Sequence, residues 1–305
     1  MVEILLAVYQ GEHFLSAQIE SIINQTYSDW KLLIRDDGST DNSINIIESY
    51  IKSYPNKIVL IRDSVECHSS KANFMQLLKH ASQDYVLFCD QDDIWDKNKI
   101  ATMMEQMTLY EQSFGSNYPI LLASQLKVVN SLLHPLHKQQ MTIDSNRMHI
   151  NKILVDNEIP GCTMMFNKAL YSRIGNPDIN KIVMHDWWIA LFACTFGKIS
   201  IIDQELVLYR QHDDNESGAA NKRGFLYALK KINDPNNKSA LFTLIEQASE
   251  FQKCYKEMET NSQRLLIDTF IDIGSKGKLS RVMLLVKYGF LKSGLFRVAG
   301  QLLFA

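Results

Sequence analysis

The chain has 305 residues, of which 46% are hydrophobic and 22% charged, with a formal net charge of −2. That length accommodates one large domain with an appendage, or two domains, and the composition supplies a sizeable core. So small a net charge gives no field for holding nucleic acid, and no apolar stretch reaches the ~18 residues of a membrane-spanning helix. The five cysteines, Cys67, Cys89, Cys162, Cys194 and Cys254, are scattered without a CxxC pair. They read as reduced thiols of a cytoplasmic protein rather than a disulfide frame or zinc site. Met1-Val2-Glu3 runs straight into a strand-like segment, so no signal peptide is expected.

Ile4 to Tyr9 is a continuous apolar run of the kind that forms a buried parallel strand, and Gln10-Gly11-Glu12 breaks it. Leu15, Ile19, Ile22 and Ile23 then mark one face of a helix. Trp30 to Ile34 predicts a second strand, ending in Arg35-Asp36-Asp37-Gly38-Ser39-Thr40-Asp41. Thr40 or Asp41 is the expected N-cap of a helix faced by Ile44, Ile47 and Ile51. A third strand is expected over Ile58–Ile61, then a helix with Phe74, Leu77, Leu78 and Ala81 on one side. Three strand-helix units with short polar turns predict a parallel, doubly wound sheet in this half. The first turn lacks GxGxxG and no GxxxxGK[ST] occurs, so a glycine loop is not the phosphate-binding device.

The next strand runs from Asp84 into Asp90-Gln91-Asp92-Asp93-Ile94-Trp95, three carboxylates within four residues. Carboxylates so close repel one another, and a divalent cation relieves that. Ligands of open α/β sheets bind beyond the carboxyl ends of the strands, where this cluster falls. Alone, it also reads as a solvated acidic turn. Asp96 to Tyr110 predicts a helix whose Ile100, Met103, Met104 and Met107 belong to the core, and Pro119 to Val129 a strand. Ser131 to Ile150 is polar and aperiodic. Its His134, His137 and His149 have no metal-ligand spacing, so it reads as a mobile loop. Pro160-Gly161-Cys162 is a tight turn into a strand ending at Asn167, where Gly161 permits close approach to the backbone. Asp186, in Met184-His185-Asp186-Trp187-Trp188, opens an apolar helix running to Phe196, and a helix cap is one reading of it. One of Trp187 and Trp188 suits stacking on the apolar face of a ligand, the other the core. Short strands are expected over Ile199–Ile202 and Leu206–Tyr209, followed by Arg210-Gln211-His212 and a polar loop to Gly218 that suits a flap.

Taken together, Ala7-Val8-Tyr9-Gln10-Gly11, Ser21 to Tyr27, Arg35 to Asp41 and the DQDDIW segment Asp90–Trp95 resemble the nucleotide-binding half of the family-2 inverting glycosyltransferases. With Arg210-Gln211-His212, the likeness is to the bacterial rhamnosyltransferase-like branch. It implies a GT-A fold: a Rossmann-like mixed sheet flanked by helices, here over 1–220, with a helical C-terminal appendage over 221–305. It implies a nucleotide site of Ala7, Tyr9, Asp36, Lys71 and Asp90, with Asp36 accepting from N3–H of a pyrimidine. Lys71 approaches the base or diphosphate, or is a solvated loop lysine. Asp92, with His212 and Asp90, would hold Mn²⁺ or Mg²⁺. Asp186 would be the general base, with His185 as rival. Asp93, Trp95, Gly161, Trp187 and His185 would face the acceptor.

The implied reaction moves L-rhamnose from dTDP-L-rhamnose to a lipid-linked surface polysaccharide. The alternatives are a UDP-hexose or UDP-N-acetylhexosamine transferase of the same fold, and a non-catalytic carbohydrate-binding or assembly module. From Asn221 on, only helices are expected: a face of Leu226, Leu229 and Ile232, then Ala240–Glu259 and Ser262–Ile273. After Asp272 there is no acidic residue, while Lys276, Lys278, Arg281, Lys287, Lys292 and Arg297 interleave with apolar ones. Such a tail suits an anionic membrane surface, which would make the protein peripheral on the inner face of the cell membrane. Packing on the domain with a solvated basic face is the other reading.

Overall fold

The computed structural model describes residues 1–137, 141–212, 237–258 and 260–305. The expected flap over 213–218 and the helix face of Leu226, Leu229 and Ile232 lie outside the described residues. The chain divides into two compact units. One contains residues 1–143, 159–173 and the segment from 198, and the other residues 144–158, 174–197 and the C-terminal helices.

The first unit holds the sheet. Strands β1 (Val2–Val8), β2 (Trp30–Asp36), β3 (Ile58–Leu60) and β4 (Tyr85–Cys89) alternate with helices α1 (Leu15–Ile23), α2 (Ser43–Ser53) and α3 (Ser70–Leu78). After β4 come β5 (Ile94–Trp95), α4 (Lys99–Phe114), β6 (Ile120–Asn130), β7 (Met164–Asn167), α6 (Lys168–Tyr171) and β8 (Lys198–Gln211). Helix α5 (Ile150–Ile153) lies in the second unit. The eight strands are ordered β3-β2-β1-β4-β7-β6-β8-β5. The first four are parallel, as their uninterrupted apolar runs predict. β7 is antiparallel to both β4 and β6, so the sheet as a whole is mixed. The register sets Val8 beside Asp36 and Leu6 beside Cys89, which aligns the carboxyl ends of β1, β2 and β4.

The core is the one read from periodicity. Leu15, Ile19, Ile22, Ile47, Phe74, Leu77, Ile100, Met103 and Met107 are buried with the strands. Differences lie at the ends. β1 stops at Val8, because Gln10 takes φ 52°. The N-cap of α2 is Asn42, without a side-chain cap bond; Asp41 instead accepts from the N–H groups of Glu12 (2.9 Å) and Ser43 (3.0 Å). α4 starts at Lys99 rather than Asp96, because Ile94–Trp95 is itself an edge strand paired with β8. The two short strands expected after Ile199 are one strand with an irregular register against β6 near Gln125. All five cysteines are free, and Cys89 and Cys162 are buried.

The second unit packs α7 (His185–Phe196) against α8 (Asn237–Tyr255), with α9 (Asn261–Asp272), α10 (Lys278–Lys287) and α11 (Leu295–Phe304) completing it. Trp188, Phe192, Phe196, Phe251 and Tyr255 form its aromatic core. Buried α8 side chains hold the approach to α7: Gln247 Oε1 accepts from Val183 N–H (2.8 Å), and Glu250 Oε1 from Asp178 N–H (3.1 Å). The tail is fastened to the α5 region. Lys152 Nζ donates to Gly289 O (2.7 Å), Asn151 Nδ2 to Tyr288 O (3.1 Å), and Arg297 pairs with buried Asp156 (2.5 Å).

One buried charge secures the end of β2. Arg35 donates to both oxygens of Asp63 (3.1 and 2.8 Å), to Asn73 Oδ1 (2.9 Å) and to Val65 O, and pairs with Asp37 (3.3 Å). The guanidinium holds the Asp63 carboxyl well below the ordinary aspartate range. A lowered folded-state pKa adds stability above the unfolded value, and that stability is lost as pH falls through the folded one. Asp63→Asn is therefore expected to destabilise the protein at pH 7, by about 1–3 kcal/mol, since the buried Arg35 loses its charged hydrogen-bond partner. Urea unfolding should show the difference from wild type shrinking as the pH is lowered below the ordinary aspartate range.

Candidate active site

The carboxyl ends of β1, β2 and β4 carry polar residues that bind one another across large sequence distances. Gln91, in the acidic segment, pairs with the peptide group of Tyr9. Tyr9 N–H donates to Gln91 Oε1 (2.9 Å), and Gln91 Nε2 donates to Tyr9 O (2.8 Å). This explains the glycine that follows: a Cβ on Gly11 would lie 2.6 Å from Gln91 Oε1. Gln10 is held in its left-handed conformation from the β2 turn. Its N–H donates to Ser39 Oγ (2.8 Å), and its Oε1 accepts from Thr40 N–H (3.0 Å). The turn thus leaves the Tyr9 ring 57% exposed above the strand ends, a platform for a flat ligand. Ala7, half-buried, lies one residue inside the end of β1.

Asp36 closes β2. Its Oδ2 accepts from the N–H groups of Gly38 (3.0 Å) and Ser39 (2.8 Å), shaping the turn. Its Oδ1 is buried and has no hydrogen-bond partner among the described residues. A buried acceptor left unsatisfied is uncommon, and a donor group of a ligand or a water would satisfy it. Asp37 does a different job, accepting from Cys67 N–H (2.8 Å) beside Arg35. Lys71 sits in the first turn of α3, half-buried.

The acidic segment divides into two groups. Asp92 faces His212, with Oδ2 and Nε2 2.8 Å apart. Two ligands at neighbouring positions around one Mg²⁺-sized ion lie about 3 Å apart, so carboxylate and imidazole already have the spacing such an ion needs. The His212 ring packs on Phe14 (centroids 4.9 Å apart), and the Arg210 guanidinium lies over the same ring at 4.5 Å. Arg210 also donates from Nε to Asp92 O (2.6 Å), from Nη1 to Ser131 O (2.5 Å) and from its N–H to Asp93 Oδ1 (3.1 Å). The second group is Asp90, Asp93 and Cys162, whose ligand atoms lie within 4.8 Å of one another. Burial, then the neighbouring Asp92 and Asp90, pushes the Asp93 carboxyl well above its ordinary range. Burial likewise pushes the Cys162 thiol up, which keeps it protonated and a poor ligand for a hard cation. Behind them Lys99 is fully buried, its Nζ 2.5 Å from Cys162 O and 3.7 Å from the centre of the Trp95 ring, and burial pulls it down to about 8.

Four residues expected at an acceptor, Asp93, Trp95, Gly161 and His185, are buried, so they are enclosed by protein. Burial alone pulls His185 down to about 3. Asp186 and Trp187 belong to the second unit. Met184 is the N-cap of α7, which places Asp186 in its first turn, half-buried, with Oδ1 accepting from Trp187 N–H (2.6 Å). Trp187 Nε1 donates to Ile153 O (2.5 Å), while Trp188 is core. The motif reading did not pick out Phe14, Gln91 or the bonds of Arg210. The only signals in the sequence were a glutamine inside an acidic triplet and an arginine ending an apolar strand.

The family model for Glycosyl transferase family 2 matches residues 3–173. The dTDP-rhamnosyl transferase RfbG of Shigella flexneri is 30% identical over 224 residues, covering 70% of this chain and 74% of that protein. The Escherichia coli UDP-Glc:alpha-D-GlcNAc-diphosphoundecaprenol beta-1,3-glucosyltransferase WfgD is 28% identical over 223 residues, 73% of this chain and 81% of its own. Among solved structures, S. aureus TarS in complex with UDP-GlcNAc aligns with 94% of this chain and 80% of its own at a TM-score of 0.58 and 14% identity. With the mixed sheet and the polar ends of its parallel strands already described, these matches establish that the chain belongs to glycosyl transferase family 2 and is a glycosyltransferase with the GT-A fold.

Proposed function

We propose that this glycosyltransferase takes a sugar from a pyrimidine-diphosphate donor, L-rhamnose from dTDP-L-rhamnose, and adds it with inversion to a hydroxyl of a lipid-linked surface polysaccharide. The observation that carries the donor reading is the unpartnered, buried Oδ1 of Asp36. A carboxylate oxygen can accept N3–H of thymine or uracil, and the choice of a pyrimidine over the donor groups of a purine is supported by the dTDP- and UDP-sugar names of RfbG and WfgD. The exposed Tyr9 ring and the main chain at Ala7 flank the base. Asp90 meets the ribose, and Lys71 the base or diphosphate.

Asp92 and His212 would hold Mn²⁺ or Mg²⁺, with Asp90 in support, and the ion would neutralise charge on the departing diphosphate. Arg210 and Phe14 fix those two ligands in place. Asp186 takes the proton of the acceptor hydroxyl. His185, pulled down to about 3 by burial, is too weak a base to compete. Trp187 borders the acceptor. Rhamnose rests on the likeness to RfbG. The UDP-hexose reading keeps support from WfgD, whose name also specifies a diphosphoundecaprenol acceptor. An acceptor of that class would put the enzyme on the inner face of the cell membrane, where the basic tail would meet anionic lipid.

Calorimetry should find dTDP and UDP binding to the wild type and binding weakened at least about tenfold in Asp36→Asn, the cost of one charge-assisted hydrogen bond. Equal binding of GDP would remove the pyrimidine assignment, and nucleoside diphosphate release across a donor panel separates rhamnose from hexose. Asp186→Asn should keep donor affinity while turnover falls about 10²- to 10⁴-fold, the range for a general base. Undiminished turnover would remove Asp186 from that role. Chelation should abolish transfer, with Mn²⁺ or Mg²⁺ restoring it. Mn²⁺ titration followed by electron paramagnetic resonance should show weaker binding in His212→Ala, and unchanged affinity would exclude His212 as a ligand.

A further inference from the structure

We infer that the last two helices form a membrane-inserting face. Their outward apolar side chains enter an anionic lipid surface, and the surrounding lysines bind its headgroups. This deepens the membrane placement proposed above by naming the surface that makes it.

On α10 the outermost residues are Leu279 (88% exposed), Met283 (62%) and Val286 (52%). They follow the i, i+4, i+7 spacing that aligns side chains on one side of a helix. The opposite side is occupied: Leu285 is buried, and Arg281 lies against the Phe242 ring and donates to Gly274 O (3.1 Å). On α11 the outward residues are Leu295 (88%), Phe296 (63%) and Leu303 (50%), with exposed Ala299 between them. The connection between the helices is anchored from beneath. Ser293 N–H donates to Asp156 Oδ2 (3.0 Å), Arg147 Nη2 to Leu291 O (3.1 Å) and Lys152 Nζ to Gly289 O (2.7 Å). The helices therefore present large aliphatic and aromatic side chains outward with exposed Lys278 and Lys287 beside them, while Arg281 is turned inward. A row of apolar side chains this large is unusual on the open side of a surface helix.

Charge identifies the occupant. Residues 273–305 contain six lysines and arginines and no aspartate or glutamate. Arg297 is paired with Asp156 (2.5 Å), Lys276 with Asp272 (2.7 Å), and Arg281 is turned inward, while Lys278 and Lys287 are exposed beside the apolar residues, so a second copy of the chain would set these like charges against one another. An anionic headgroup layer neutralises them instead, and its acyl boundary receives the apolar faces. Each helix has ten residues, too short to cross a bilayer, and among the described residues no helix is long and apolar enough to do so. The geometry is that of a pair of helices lying in the interface.

The test is co-sedimentation of the full chain with mixed phosphatidylglycerol–phosphatidylcholine vesicles, without donor or acceptor, so that it does not depend on the proposed reaction. Wild type should bind, and bind pure phosphatidylcholine far less. Leu279→Asp combined with Phe296→Asp should weaken binding at least about tenfold, since a charge replaces a buried apolar group at two points. Both positions are exposed, so the thermal midpoint and donor affinity should be unchanged. Lys278→Gln with Lys287→Gln should weaken binding less and reduce its salt dependence. If the apolar pair leaves vesicle binding intact while the lysine pair abolishes it, adsorption is purely electrostatic and insertion is overturned. If wild type ignores vesicles and forms a dimer that Leu279→Asp splits, the face is a self-association surface, which also overturns the proposal.

Discussion

The arrangement at the acidic segment depends on one side chain, Arg210. It sits at the end of the longest strand, and its guanidinium and N–H bind Asp92 O, Ser131 O and Asp93 Oδ1 while its plane covers Phe14. Four consecutive carboxyl-bearing or amide residues, Asp90 to Asp93, would otherwise be free to splay, because the negative charges repel. The guanidinium opposes that repulsion and fixes the backbone. His212, two residues further on, then meets Asp92 at hydrogen-bond distance with Phe14 against its ring. A lysine could not do this, since it lacks both the fork and the flat face.

The same logic recurs at the nucleotide end. The Gln91 amide copies a strand partner for Tyr9, and Gln10 holds the first turn to the second. Arg35, buried, fixes the base of the β2 turn through Asp63 and Asn73. These side chains spend their hydrogen-bonding capacity inside the protein. What remains is an exposed ring at Tyr9, an unmatched oxygen at Asp36 and the Asp92–His212 pair, which the proposed reaction uses. In the second unit, Gln247 and Glu250 play a comparable part, holding the segment that delivers Asp186 to the first turn of α7.

Much of the fold was legible because burial leaves a periodic trace. Continuous apolar runs located β1, β2 and β4, and i, i+4, i+7 repeats located α1, α2 and the core face of α4. Ends were less legible. Asn42 rather than Thr40 or Asp41 occupies the N-cap of α2, because both acidic and hydroxyl side chains of that turn bind β1-side groups instead. The edge strand Ile94–Trp95 has only two residues, and its pairing with β8 has no local signature. The acceptor-side expectations are the clearest contrast. Asp93, Trp95, Gly161 and His185 stand beside motif residues in the chain, yet all are enclosed by protein.

The sequence alone determined which segments are strands and helices, the family to which they belong, and the small set of carboxylates and rings worth testing, since these depend on local periodicity and on motif spacing. It also carried the excess of positive charge after Asp272. Only the tertiary structure decided that Asp36 keeps one oxygen unmatched, that Trp188 is core while Trp187 is bound at Ile153 O, and that Leu279 and Phe296 point outward. The tryptophans depend on partners more than 30 residues away, the outward residues on which face of a helix its neighbours cover, and the Asp36 oxygen on how the turn after β2 packs. Composition and spacing along the chain do not contain that information.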